Sequence, residues 1–406
     1  MVKDNTQSWG QERIGKILLK LAPPVMLAQL IQALYNIVDS LFIGRYSASG
    51  LTALSIVYPL QLLMIAFAVG TGVGINTIVA ARLGKGEKED ADGYTGMAAP
   101  LALLLWLLFA LICYFSLPAF AAISTDSKEV AQDVIDYGRI VCVFSFGLFL
   151  ESGWTKVLQA NGDMKTPMIA QIAGAAVNIL LDPLLIFGLI GFPSMGIAGA
   201  AVATVAGQVC AALVVLRRGF RKMPDKTKFF RCAARIFRVG LPNILMQSAY
   251  TVYIFGLNIV LETFSDQAVT ALGLYYKWQT FFFIPLGAMQ ACIVPVISYN
   301  FAGGDFGRCK TTLRDAVVFG LVLMALGTAC FTAIPRLMLQ VFTEDPEVIR
   351  IGTHGFRWIG VSFLPMVTSL IFPVTEMLTS LVGLFFYKGF PKKFKVSQPE
   401  GRGDRK

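Results

Sequence analysis

Apolar segments long enough to cross a lipid bilayer recur along this chain, and no other feature restricts its fold as strongly. A hydrocarbon core about 30 Å thick takes about 20 helical residues to span. Runs of that length lie at roughly residues 17–43, 51–80, 97–122, 134–158, 167–190, 195–216, 236–262, 268–298, 316–340 and 358–387. With 55% hydrophobic and only 15% charged residues over 406 positions, and a mean hydropathy of +0.65, the chain is far too apolar for water-soluble domains. Inside lipid, backbone polar groups must be satisfied by the protein itself, which leaves helices or closed barrels. The alternating ten-residue segments of a barrel do not occur. The expected fold class is all-α, a polytopic membrane protein of about ten spans, with kinks where Pro23, Pro24, Pro183 and Pro295 interrupt them.

Lys and Arg set the expected orientation. Nine basic residues against one acid lie between Arg217 and Arg238, which assigns that loop to the cytoplasm by the positive-inside rule. The N-terminus (Lys3, Arg13, Lys16), the loops with Arg82, Lys85 and Lys88 and with Arg308 and Lys310, and the tail from Lys388 then share that side. Both ends are thus expected in the cytoplasm of a cell-membrane protein. The net charge of +10 follows from this topology, and nucleic acid is not an expected partner. Seven cysteines without CxxC spacing and a single histidine, His354, exclude His-cluster metal chemistry and give no framework for an enzyme.

The chain also repeats itself. ILLKLAPPVM at 17–26 returns as IFRVGLPNIL at 236–245, TAL at 52–54 as TAL at 270–272, and STDSKEV at 124–130 as FTEDPEV at 342–348, each about 218 residues on. Two pseudo-symmetric helical bundles are expected: an N-terminal lobe at 14–216, a basic cytoplasmic linker at 217–235, a C-terminal lobe at 236–387 and a cytoplasmic tail at 388–406. Both copies start on the same side, so the repeat is parallel, with its axis along the membrane normal.

Polar residues inside the spans point to function, because each must avoid lipid. Gln29, Gln32, Asn36 and Asp39 fall on one helix face, Asn178 and Asp182 are four apart in the fifth span, and Thr204 and Gln208 repeat that spacing in the sixth. Two carboxylates converging in a low-dielectric pocket do not both stay charged without a cation. With neutral oxygens from Asn178 and Thr204 beside them, such a pocket holds a proton or a sodium ion, and sequence does not choose between the two.

LYNIVDSLFIGR at 34–45, ARLGKGEKEDA at 81–91, LQANGDMKTPM at 158–168, NILLDPLLIFG at 178–188, MGIAGAAVATVAGQ at 195–208 and PVISYNFAGGD at 295–305 together resemble the multidrug and toxic compound extrusion (MATE) family, over residues 13–372. The resemblance implies a secondary active antiporter that exports amphiphilic or cationic compounds in exchange for H+ or Na+ by rocking of two six-helix lobes. It also implies a cation site at Asp39, Asn178, Asp182 and Thr204, the arrangement of the branch whose site lies in the N-terminal lobe. Gln32, Asn36, Glu151, Tyr250, Tyr275, Lys277 and Gln279 are polar or aromatic positions within spans and are the candidate solute contacts. No cofactor beyond the coupling ion is expected, and the partners are small solutes and lipid around a monomer.

The sequence departs from the family after VTSLIFPV at 367–374, where text like the family's last span follows the tenth directly. The C-terminal lobe is therefore expected to be truncated, ten spans replacing the family's twelve, with residues 358–387 as one crossing that contains Glu376. A lipid-linked oligosaccharide flippase-like transporter and a transport-impaired family member are the alternative readings.

Overall fold

A computed structural model describes residues 6–223, 226–262, 266–343, 345–361 and 363. The expected crossing at 358–387, Glu376 and the tail at 388–406 lie almost wholly outside the described residues. A short helix α1 (Gln7–Gln11) precedes α2 (Ile14–Tyr46), α3 (Ala48–Gly84), α4 (Lys88–Thr95), α5 (Ala98–Ser124), α6 (Lys128–Val143), α7 (Phe146–Ala160), α8 (Lys165–Phe187) and α9 (Gly196–Gly219). The second half holds α10 (Lys226–Glu262), α11 (Asp266–Ala302), α12 (Phe306–Ala333), α13 (Pro335–Gln340) and α14 (Pro346–Val361).

Among the described residues, seven helical stretches are long and apolar enough to cross a membrane: Ile14–Tyr46, Ser49–Gly84, Lys88–Ser124, Lys165–Phe187, Gly196–Gly219, Thr270–Ala302 and Phe306–Ala333. The protein is thus an all-helical multi-pass membrane protein. The expected span at 134–158 is broken: α6 ends at Val143, Phe144 and Ser145 leave helical geometry, and α7 resumes at Phe146. The expected span at 316–340 breaks at Ile334, where Pro335 opens α13 as its first residue, a position at which the missing N–H costs nothing. The expected linker at 217–235 is partly helix, since α10 begins at Lys226.

Helix bounds recur with the sequence repeat. Ala48–Gly84 and Asp266–Ala302 begin and end 218 residues apart, and so do Lys128–Val143 and Pro346–Val361. Ile43, Val57, Phe109, Tyr137, Phe149 and Ile186 belong to one core, built by the first group of helices. Tyr275, Phe282, Phe331, Phe356 and Phe363 belong to another, on the second. The two groups, here called lobes, meet where α3 packs on α10 and α11, and where α2 packs on α11.

The seam is sealed at the end that carries the N-terminus and the basic linker. Glycines let backbones touch there: a Cβ on Gly70 would lie 2.9 Å from the Ile244 amide nitrogen, and one on Gly74 would strike the Ile236 carbonyl and sit 3.1 Å from the Gly240 nitrogen. Gly84 likewise packs on the Tyr299 backbone, and the last such approach toward the middle is Gly287 beside Gln29. Past that level Leu34, Ile37 and Leu41 of α2 and Leu245 and Val252 of α10 are exposed.

At the same end the turn between α7 and α8 is tied down by one carboxylate. Asp163 accepts from the Thr166 backbone N–H (3.0 Å), the Thr166 hydroxyl (2.7 Å) and Arg218 Nη1 at the end of α9 (3.2 Å). It caps α8 and joins it to α9 at once. Asp163→Ala is expected to cost about 2 kcal/mol, a cap near 1 kcal/mol plus a partly exposed ion pair below 1 kcal/mol. Asp163→Asn, which keeps an acceptor, should recover about half of that. The apparent melting temperatures of both variants in detergent provide the check.

Candidate functional site

Three helices of the first lobe bring the expected cation residues together. α2 packs on α8, and α8 lies along α9 so closely that Gly174 and Gly207 face each other's backbones, with a Cβ on Gly207 only 3.2 Å from the Asn178 Cβ. The small residues of MGIAGAAVATVAGQ are therefore what allow Asn178 and Thr204 to share a space. Asp39 (6% exposed), Asn178 (2%), Asp182 (0%) and Thr204 (8%) are all buried. Asn178 Nδ2 donates to Asp182 Oδ1 at 3.3 Å, and Asp39 is close enough to Asp182 for their charges to interact.

What remains unsatisfied is informative. Asp39 Oδ1, Asn178 Oδ1, Asp182 Oδ2 and Thr204 Oγ1, and Gln208 Oε1 on the next turn of α9, are buried oxygens without a hydrogen-bond partner among the described residues. Buried polar atoms are satisfied in the large majority of cases, so a cluster of such oxygens marks a place for a cation or a proton. Every free atom is an oxygen and two belong to carboxylates, the donor chemistry of a hard ion of low charge. Arg45, the nearest base in the sequence, is exposed.

Two tyrosines that the sequence reading did not single out stand beside this cluster. The Tyr35 hydroxyl lies within electrostatic reach of Asp39, Glu151, Tyr58 and Asp182. Tyr137, 1% exposed, accepts from Gln61 Nε2 at 3.3 Å and neighbours Thr204, although that pair falls outside hydrogen-bond geometry. Tyr35 sits one turn before Asp39 on α2, and that spacing was the available signal. Tyr137 had none, because its partner Gln61 is 76 residues away.

The expected solute contacts divide. Glu151 is buried, its Oε1 accepting from Thr155 Oγ1 (2.7 Å) and Gln171 Nε2 (3.1 Å). Gln32 is half-buried and Asn36 exposed on the open side of α2. Tyr250 is exposed and Gln279 buried, and Tyr250, Tyr253, Tyr275 and Tyr276 lie within electrostatic reach of one another. Tyr275 packs against Phe331, Phe356 and Phe363, inside the second lobe's core. Lys277 is exposed, its ammonium 5.2 Å from the Phe342 ring centroid beyond α13, so it is not brought to Glu151 or to the cation residues. The lysine at the seam is Lys156 of α7: half-buried, it runs over Gly72 and donates to Gln159 Oε1 at 3.1 Å. Its position inside the expected span 134–158 was the signal for it.

Carried forward 218 positions, Tyr35 becomes Tyr253, Tyr58 becomes Tyr276 and Gln61 becomes Gln279, but Asp39 becomes Leu257. Among the described residues, the buried carboxylates within the spans are Asp39, Glu151 and Asp182, all in the first lobe.

Comparison with known proteins agrees with this architecture. The MatE family model matches residues 24–184 and 242–378, well over half of the chain. The multidrug export protein MepA of Staphylococcus haemolyticus is 25% identical over 364 residues, 87% of this chain and 79% of that protein. An FAD transporter of Shewanella oneidensis is 25% identical over 344 residues, 83% of this chain and 76% of that one. A solved MOP superfamily transporter from Pyrococcus furiosus superposes with a TM-score of 0.82 at 22% identity, covering 93% of this chain and 86% of that structure. The helices, their order and the family match together show that the chain belongs to the multidrug and toxic compound extrusion family of membrane transporters.

Proposed function

We propose that this protein exports small amphiphilic or cationic solutes across the cell membrane in exchange for H+ or Na+, by alternating access between two pseudo-symmetric lobes of about ten spans in all. The observation that carries the reading is the set of buried, unpartnered oxygens on Asp39, Asn178, Asp182 and Thr204. Two carboxylates within reach of each other's charge are costly in a low-dielectric interior, and a bound cation or proton relieves that cost. Solute and ion then compete for one lobe, each favouring a different state of the seam, which is what couples their fluxes.

The seam supports the alternating part. It is closed at the basic end and exposed beyond Gln29, the arrangement of an outward-facing state if the basic end is cytoplasmic. Tyr250 and Tyr253 of α10 and Gln32 and Asn36 of α2 are the groups a flat cation would meet, through ring faces and amides. The recurrence of helix bounds at a 218-residue offset supports the parallel repeat.

The test is efflux of a fluorescent organic cation from vesicles reconstituted with the full chain, driven in turn by a proton and by a sodium gradient. Expected is efflux with one gradient and none when both are collapsed. Efflux that ignores both gradients would overturn ion coupling. Because one relative is named an FAD transporter, FAD is the second solute to load, and its export in place of the cation would move the reading to nucleotide-like solutes.

A further inference from the structure

We propose that residues 6–12 form a strap that clasps the two lobes together at the basic end and must release before that end opens. The strap is joined covalently to the first lobe, since α2 begins at Ile14 directly after it. Its contacts reach the second lobe. Arg308, near the start of α12, donates through Nε and Nη2 to the Trp9 carbonyl (3.0 and 2.6 Å) and through Nη2 to the Glu12 carbonyl (2.5 Å). These are carbonyls at the end of α1, which the helix leaves without internal partners and which carry partial negative charge. A guanidinium fork is suited to holding two of them at once.

The Trp9 side chain supplies the other half of the clasp. It is 1% exposed and stands edge-on to Tyr299 of α11, ring centroids 5.7 Å apart and planes at 86°. It belongs to a single apolar cluster with Ile17 and Leu21 of α2, Met164 of the α7–α8 turn, and Met289, Cys292 and Val296 of α11. One indole therefore closes a core made by both lobes. The lobes cannot part at this end while Trp9 stays seated and Arg308 keeps its two carbonyls, because first-lobe chain would have to travel with the second lobe. An element with a bound and a released arrangement is what a conformational exchange needs. The inference is independent of which solute the cleft carries.

Cys292 reports on this directly, because it is 0% exposed in the core that the strap closes. The experiment uses the full chain in detergent with its other cysteines replaced by alanine, and follows alkylation of Cys292 by N-ethylmaleimide by mass. Trp9→Ala and Arg308→Gln are expected to raise the rate roughly tenfold by populating the opened end. Arg308→Lys, which offers a point charge in place of the fork, should fall between them and the parent. Arg336→Gln, an exposed site on α13, should change nothing. Helical circular dichroism and a single species on sizing establish that each variant is folded, and the Arg308 pair carries the test if Trp9→Ala is not. Parent rates of alkylation in folded Arg308→Gln and Arg308→Lys would overturn the strap.

Discussion

Asp182→Asn is expected to abolish ion-driven exchange, lowering the ion's apparent affinity by about 100-fold or more, the roughly 3 kcal/mol associated with losing one charge of a buried pair. Asparagine keeps the shape of the side chain and its contact with Asn178, so the helix packing that presents the site should survive. Asp39→Asn should behave alike, since both carboxylates face one space from different helices. Thr204→Val removes a neutral oxygen and is expected to cost about tenfold. Binding of the organic cation without any gradient should change by no more than about threefold in these variants, because its expected contacts lie elsewhere in the cleft. Ion-dependent efflux in vesicles and equilibrium binding of the solute separate the two effects. Retention of gradient-driven efflux by both Asp39→Asn and Asp182→Asn would sink the shared-cation site.

A single added methyl group at the seam should be nearly as damaging. Gly74→Ala places a Cβ against the Ile236 carbonyl, and Gly240→Ala places one against the Gly70 carbonyl. The obstructing atoms are backbone, so no rotamer change relieves them and the helices must part by roughly 1 Å at a close-packed crossing. The basic end then fails to seal, and solute efflux is expected to fall roughly tenfold with little change in ion binding at Asp39 and Asp182. Spin labels at Lys165 and Lys310, exposed positions on opposite lobes, should show a longer distance in both variants. Gly273→Ala is the control, since nothing lies within 4 Å of its Cβ position and alanine is the better helix former. Unchanged distances in Gly74→Ala would mean that the seam accommodates the methyl group without opening.

Much of this was readable from the sequence because lipid leaves a chain so few options. The apolar runs located the long helices to within a few residues, as α3 and α5 show against their expected spans. The i, i+4 pair Asn178 and Asp182 announced a shared face, and both are buried together. Breaks were harder. Phe144 and Ser145 carry no Pro or Gly, so periodicity alone ran the fourth span straight through them. Side-chain direction around a helix was hardest: Asn36 and Asp39, assigned to one face, end as exposed and buried, because the neighbours of α2 differ on its two flanks. Lys277 illustrates the same limit, since its depth in the span suggested a cleft residue while its azimuth turns it toward Phe342. Tyr137 and Gln61 needed tertiary structure to meet at all.

Recurrence of helix bounds contrasts with the placement of acids. α3 and α11 match in length and phase, yet the buried in-span carboxylates among the described residues sit in the first lobe alone. A transmembrane voltage acts on charge, at about 2.3 kcal/mol per elementary charge per 100 mV, and so it pulls chiefly on one of two similar halves. On the proposed mechanism, a singly charged organic cation leaving as one ion enters moves no net charge, and its export should be indifferent to membrane potential. A neutral solute exchanged by the same machine would carry the ion's charge inward uncompensated, so a potential that is negative inside should speed its removal.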